Sequence, residues 1–403
     1  VTWRPSSALL AAVAGLVVLG TVSSCGPALT GSSSALKSPV SDLASVGVQA
    51  PSSGARVLFS PGDPKATVNP DTTLKVVASG GRLTTVSVKE SNGTDVAGAL
   101  SPAGDVWTSN KATLPFGETF TAQATAVDPQ GISTNGSTTF RVRNAVSVKA
   151  TITPSEKSVV GVGMPIIVRF NKEPSDRASV EAALSVRSTP EVTGSWGWVG
   201  SQEVHWRPKA YWPAGTDVTV RANLADLSIG NDQTGDANVV RHFTIGQATV
   251  IKVGIDTHEL RFFQGGALVR TIPVTTGKVG FGTRSGIKVI MNKERTRIMD
   301  SVTVDIPAGS SDAYRLKVEY AMRLTNSGEF LHAAPWSVGA QGRANVSHGC
   351  TGMSMSNAAW LFERSKIGDP VEYTGSVKPM TLTNGYGDWN LTWNAWGKRS
   401  AAV

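Results

Sequence analysis

FLHAAPWSVGAQGRANVSHGCTGMS, running from Phe330 to Ser354, brings His332, His348 and Cys350 into one turn-rich segment. Thiol chemistry needs a thiolate, and a free cysteine has a pKa of about 8.5. A neighbouring imidazole takes that proton and later returns it to a leaving group. Gly349, beside the cysteine, lets the backbone turn sharply and exposes amide N–H groups. Consecutive N–H donors at such a turn suit an oxyanion hole. Spacing alone leaves the choice of base open. In a strand, His348 and Cys350 would share a face. His332, eighteen positions upstream of Cys350, would return on an adjacent strand or loop. Zinc is the rival use of these residues, but it wants three or four ligands at other spacings. No further cysteine is available there, so neither metal nor cofactor is expected.

Around this segment the chain reads as β-rich. Val250, Ile251, Val253 and Ile255 form an apolar strand. Leu260 to Phe263 and Leu268 to Val274 flank Gln264-Gly265-Gly266, a hairpin signal. Ser354 or Ser356 is a candidate cap for a helix through Ala358, Trp360, Leu361 and Phe362. Gly368-Asp369-Pro370 then leads into a closing strand, Val371-Glu372-Tyr373. These features define a catalytic domain over 248–376. After it, Trp389, Trp393 and Trp396 fall at helical spacing in a tail over 377–403. The tail is expected to dock its indoles on a neighbouring domain.

Upstream, period-two alternation dominates. Phe120, Ala122, Ala124 and Ala126 alternate with polar residues, as do Leu74, Val76 and Ala78. Ile166, Val168 and Phe170 repeat the scheme, followed by Val218, Val220 and Ala222. Short alternating strands with regular turns predict β-sandwiches. Two immunoglobulin-like modules are expected, over 46–144 and 145–247, with a short helix near Asp176 to Leu184. His205 and His242 stand alone in strand contexts and are expected to be structural. The fold class is therefore mainly β: two sandwiches, then a β-rich catalytic domain with a short helix and a Trp-rich tail.

The first residues address the chain to a compartment. Arg4 supplies a positive charge, and Ala8 to Gly20 is an apolar run too short to span a bilayer comfortably. Small residues Val22-Ser23-Ser24 precede Cys25, as in a lipoprotein signal. The expectation is a signal over 1–25, lipidation at Cys25 and a flexible Ser-, Gly- and Pro-containing linker over 26–45. The protein would then face the cell wall from the outer side of the membrane, lipid-anchored in an extracytoplasmic space. Cys25 and Cys350 are the only cysteines, so lipidation would leave Cys350 without an intrachain partner. The net charge of +8 favours anionic surroundings such as acidic wall polymers. No dense Lys/Arg run accompanies it, which excludes a dedicated nucleic-acid patch.

His332, a fourteen-residue spacer and Ser347-His348-Gly349-Cys350 resemble the signature of the YkuD-type L,D-transpeptidases. That signature reads His, spacer, Ser/Thr-His-Gly-Cys-x-Asn. The run His332 to Gly342, the two preceding modules and the Trp-rich tail resemble the mycobacterial and actinobacterial branch. The resemblance implies a wall-modifying acyltransferase. Cys350 would attack the diaminopimelate–D-alanine amide of a peptidoglycan tetrapeptide stem, releasing D-alanine and leaving a thioester. A second stem's diaminopimelate amine would then resolve it, cross-linking two third residues.

By motif position His332 is the base, oriented by the Ala333 carbonyl, and His348 supports it. The amides of His348, Gly349 and Cys350 line the oxyanion hole. Tyr314 and Met299 resemble substrate-pocket positions on a flap, and Ser347, Trp336 and Ala333 join them as substrate-binding residues. Carbapenem β-lactams acylate the nucleophile in this family. One departure stands out: Thr351-Gly352 follows Cys350 where the family has x-Asn. It leads us to expect altered substrate preference or lower activity. The same residues would serve an L,D-carboxypeptidase with water as acceptor. A papain-like wall endopeptidase places its cysteine upstream of its histidine, the reverse of the order here. A wall-binding lipoprotein with a degenerate site is the non-enzymatic alternative.

Overall fold

The computed structural model describes residues 51–402. The expected signal segment with Cys25, and the linker, lie outside the described residues. Alternation builds the first sandwich. In Thr119–Val127 buried residues recur at every second position, so one face of the strand packs inward. This strand lies in a four-stranded sheet with Thr67–Val68, Arg82–Glu90 and Ser133–Val142. The opposing sheet carries Arg56–Ser60, Lys75–Ser79, Gly98–Leu100 and Val106–Ser109. Phe120 and Phe140 stack at 5.3 Å in the core between them.

The second sandwich has the same two-sheet plan, with Ile166–Phe170 and Glu203–Pro208 central in one sheet. Asp176 caps the Arg177–Ala182 helix by accepting from the Ser179 amide. Alternation predicts one exposed face for Ile166–Phe170, yet four of its five residues are buried, as are five of six in Glu203–Pro208. The C-terminal tail helps to cover this sheet. The Arg207 guanidinium lies 4.9, 5.4 and 5.1 Å from the ring centres of Trp389, Trp393 and Trp396. Trp396 is fully buried and its indole N–H donates to Ser195 O. The three indoles do not share one helical face, because the helix spans only Trp393–Gly397 and Trp389 precedes it in a 3-10 turn. Convergence on one cation replaces helical periodicity.

The catalytic region pairs a five-stranded sheet with a four-stranded one. The first runs Ala267–Pro273, Glu259–Gln264, Thr249–Gly254, Pro370–Thr374 and Gly286–Val289 in spatial order. Gly265 and Gly266 both take positive φ, which the tight hairpin requires. The second sheet runs Asn292–Asp300, Arg315–Arg323, Phe330–Ala333 and Thr351–Met353. Ser354 caps the Met355–Arg364 helix by accepting from the Asn357 amide. Ile251, Phe262, Leu331, Met353 and Leu361 lie in the shared core. Backbone bonds from Gly161 N to Ile367 O (2.8 Å) and Gly163 N to Gly368 O (2.9 Å) join the second sandwich to this region.

His205 holds the tail electrostatically. Its Nδ1 is 2.7 Å from Asp388 Oδ1 and its Nε2 is 3.2 Å from Glu203 Oε2. Burial alone would lower its pKa, but the Asp388 and Glu203 carboxylates prevail and push it up to about 9. A folded pKa above the unfolded value stabilises fully below about pH 6.5, and that stabilisation is lost as pH rises through the folded value. The wild-type thermal midpoint should therefore fall more steeply from pH 7 towards pH 9.5, on the order of these pKa bounds, than that of His205→Gln. Parallel curves in a thermal-shift titration would refute the linkage.

Candidate active site

Two short buried strands bring the motif together. Phe330–Ala333 and Thr351–Met353 pair in parallel, with His332 opposite Gly352. The intervening loop folds back over this sheet end. Thr275 N donates to Gly352 O, Ser347 N to Thr276 O and Gly342 N to Val274 O, which pins the loop against the neighbouring segment. The result is a cavity of about 400 Å³ lined by Met299, Tyr314, His332, Trp336, Ser347, His348 and Cys350. Ala333 is not in the lining. It is buried, and its carbonyl lies 2.8 Å from His332 Nδ1. That bond places the proton on Nδ1 and leaves Nε2 as the acceptor.

Burial sets the resting state. It pushes the Cys350 thiol up to about 12, against the opposing effect of the Phe330 amide. Burial also pulls His332 below its ordinary value, against the Ala333 bond. Both groups are therefore neutral at pH 7, and the thiol donates to Gly328 O at 3.5 Å. A thiolate forms only as the proton leaves for a base.

The His348–Cys350 segment is not a strand, so the shared face that a strand would give does not apply. Gly349 has φ +121°, a conformation that favours glycine. His348 instead sits among Phe281 (4.7 Å) and Tyr314 (5.1 Å), with its Nε2 3.3 Å from Asp312 Oδ1. Lys278 also reaches Asp312, at 2.6 Å. The Gly349 amide, expected in the oxyanion hole, donates to Ser347 Oγ at 3.1 Å. Ser347 Oγ in turn donates to Cys350 O at 2.6 Å. Ser347 thus staples the turn that carries the nucleophile candidate. Trp336 stacks on His332 with ring centres 6.1 Å apart.

Sequence reasoning missed Thr275, Ser337 and Asp312. The first two line the cavity and the third pairs with His348. Ser337 lies beside Trp336 in the run His332 to Gly342 and could have been found there, whereas nothing in the local sequence marks Thr275 or Asp312, which come in from other parts of the chain.

A model of the L,D-transpeptidase catalytic domain, YkuD, matches residues 248–372, and one of a bacterial Ig domain matches 65–228. L,D-transpeptidase 2 of Mycobacterium tuberculosis is 36% identical over 330 residues, covering 82% of this chain and 81% of the relative. The chain belongs to the L,D-transpeptidase family. L,D-transpeptidase 5 of the same species is 33% identical over 361 residues, covering 87% of this chain and 78% of its own length. A solved L,D-transpeptidase 3 from Mycobacterium tuberculosis, in complex with a faropenem-derived adduct, is 33% identical. It covers 56% of this chain and 97% of that one, with a TM-score of 0.47.

Within this L,D-transpeptidase the departure at Gly352 has a steric basis. A Cβ there would lie 2.8 Å from Ala334 Cβ and 3.3 Å from Thr275 Cγ2. Neither neighbour is the far end of a flexible chain, so a side chain fits only if the backbone moves. Gly352→Asn should cost about 1–3 kcal/mol by overpacking, and adding Ala334→Gly should recover part of it. Chemical denaturation of the two variants checks this; an unchanged midpoint in Gly352→Asn would show that the site has the room.

Proposed function

We propose that this L,D-transpeptidase cross-links peptidoglycan through a Cys350 thioester. The observation that carries the reading is the shared cavity of Cys350 and His332, with His332 Nδ1 held by Ala333 O. The donor is a tetrapeptide stem. As Cys350 Sγ adds to the diaminopimelate–D-alanine carbonyl, His332 Nε2 takes the thiol proton. The tetrahedral oxyanion is stabilised by amides of the His348–Cys350 turn, chiefly those other than Gly349, whose donor is engaged. His332 then gives its proton to the departing D-alanine amine. The acceptor stem's diaminopimelate amine attacks the thioester, His332 accepts its proton, and the thiol is regenerated.

Because both partners rest neutral, neither reacting group holds a buried charge before substrate binds. Tyr314, Met299 and Trp336, all in the cavity lining, would grip the stem. Carbapenems present a strained amide to the same thiol and would acylate it. We further propose that Cys25 carries a lipid that holds the enzyme to the outer face of the membrane.

Intact-mass measurement after meropenem treatment should show one adduct on the wild type and none on Cys350→Ala. His332→Gln should slow its formation by roughly a hundredfold or more. A disaccharide-tetrapeptide substrate should yield cross-linked dimer with release of D-alanine. Tripeptide monomer alone would assign a carboxypeptidase, and no turnover by well-folded protein would sink the enzymatic reading.

A further inference from the structure

Next to Cys350, outside the cavity lining, lies a charged cluster that the acyl-transfer steps do not use. Lys288 is fully buried on the Gly286–Val289 strand. Its Nζ is 2.5 Å from Glu329 Oε2 and 3.6 Å from the centre of the Tyr373 ring. Glu329 Oε1 accepts from Arg284 Nη1 at 2.8 Å and from the Arg284 amide at 3.2 Å. Glu329 sits between the two residues whose backbones hold the sulfur: Gly328 O accepts from the thiol, and the Phe330 amide faces it. On the other flank, the Tyr373 hydroxyl is 2.7 Å from Thr351 Oγ1, one residue after the cysteine.

A buried ion pair is usually no more stabilising than apolar residues of the same volume. At Cys350 the Glu329 carboxylate opposes a thiolate and the Lys288 charge favours it. The other titratable groups facing Cys350 do not change that balance. Burial lowers His332 and raises Tyr314 and Tyr373, so all three are neutral, while His348 is paired with Asp312. Burial pulls Lys288 down to about 8, with Glu329 opposing, so it stays charged through neutral pH.

We propose that Arg284, Glu329 and Lys288 form a positioning clamp for Cys350. Glu329 pins the Gly328–Phe330 backbone against the sulfur, Arg284 and Lys288 counter its carboxylate, and the Lys288 charge favours the thiolate during acyl transfer. The clamp rests on Cys350 being the nucleophile.

Iodoacetamide alkylation of Cys350 on the folded full chain, followed by intact mass between about pH 6 and 7.5 where Lys288 is charged, tests it. One lost or gained charge displaces thiolate formation by about one pH unit, or roughly tenfold in rate at fixed pH. Lys288→Met should therefore slow alkylation roughly tenfold and Glu329→Gln should speed it by a similar factor. Lys288→Arg should keep the wild-type rate. A merely structural role would shift Lys288→Met and Glu329→Gln in the same direction, and that result overturns the clamp. So does a change below about twofold in both, well short of one charge's effect. If Lys288→Met does not fold, Arg284→Gln serves instead, since that side chain is 21% exposed. It should slow alkylation, and an unchanged rate overturns the proposal. A wild-type Cys350 that resists both iodoacetamide and meropenem would instead remove the nucleophile reading, and the clamp with it.

Discussion

His332 and Cys350 come to one cavity because two short strands pair in parallel. Phe330–Ala333 and Thr351–Met353 are each buried along their full length. Parallel neighbours cannot be joined by a tight turn, so the chain between them must cross over. Here the crossover is residues 334–350, and it supplies Trp336, Ser347 and His348 to the cavity wall. The same register that sets His332 opposite Gly352 forces the loop to end in a sharp turn, and Gly349 accommodates it. Slipping this pairing by one residue would turn His332 to the other face of the sheet.

Burial of that strand pair has a second consequence. It keeps thiol and imidazole neutral at rest, so in the proposed reaction the proton moves during the attack rather than before it. A neutral pair is cheap to hold in a dry site, whereas a standing thiolate would carry a desolvation cost. In the proposed clamp Lys288, outside the cavity lining, eases charge formation at Cys350 against the Glu329 carboxylate. Its Lys288 side chain needs the Tyr373 face and the Glu329 carboxylate, because a lone buried ammonium would simply lose its proton.

The second sandwich is more than a neighbour to this site. Its Glu203–Pro208 strand carries His205 and Arg207, which hold Asp388 and the three tail indoles. The tail also returns to the catalytic sheet through Asn390, whose side chain bonds both the amide and the carbonyl of Ile287. Ile287 precedes Lys288, so the docked tail braces the strand that bears the clamp.

The sequence by itself determined the family motif, with its candidate nucleophile, and the local elements. A cysteine two residues after a histidine, with a glycine between them, announces thiol chemistry. Period-two alternation announces sandwiches, Gly265-Gly266 a hairpin, and Ser354 a helix start. These signals are legible because each depends on residues within a few positions of one another. The tertiary structure alone decided that Gly349's amide is taken by Ser347, that His348 answers to Asp312, and that Gly352 has no room for a side chain. It alone set Lys288 against Glu329 and Arg207 among three tryptophans. Lys288 and Arg207 look like ordinary surface cations in the sequence. Their burial follows from the pairing of strands and the return of the tail, contacts between residues far apart in the chain that no local pattern encodes.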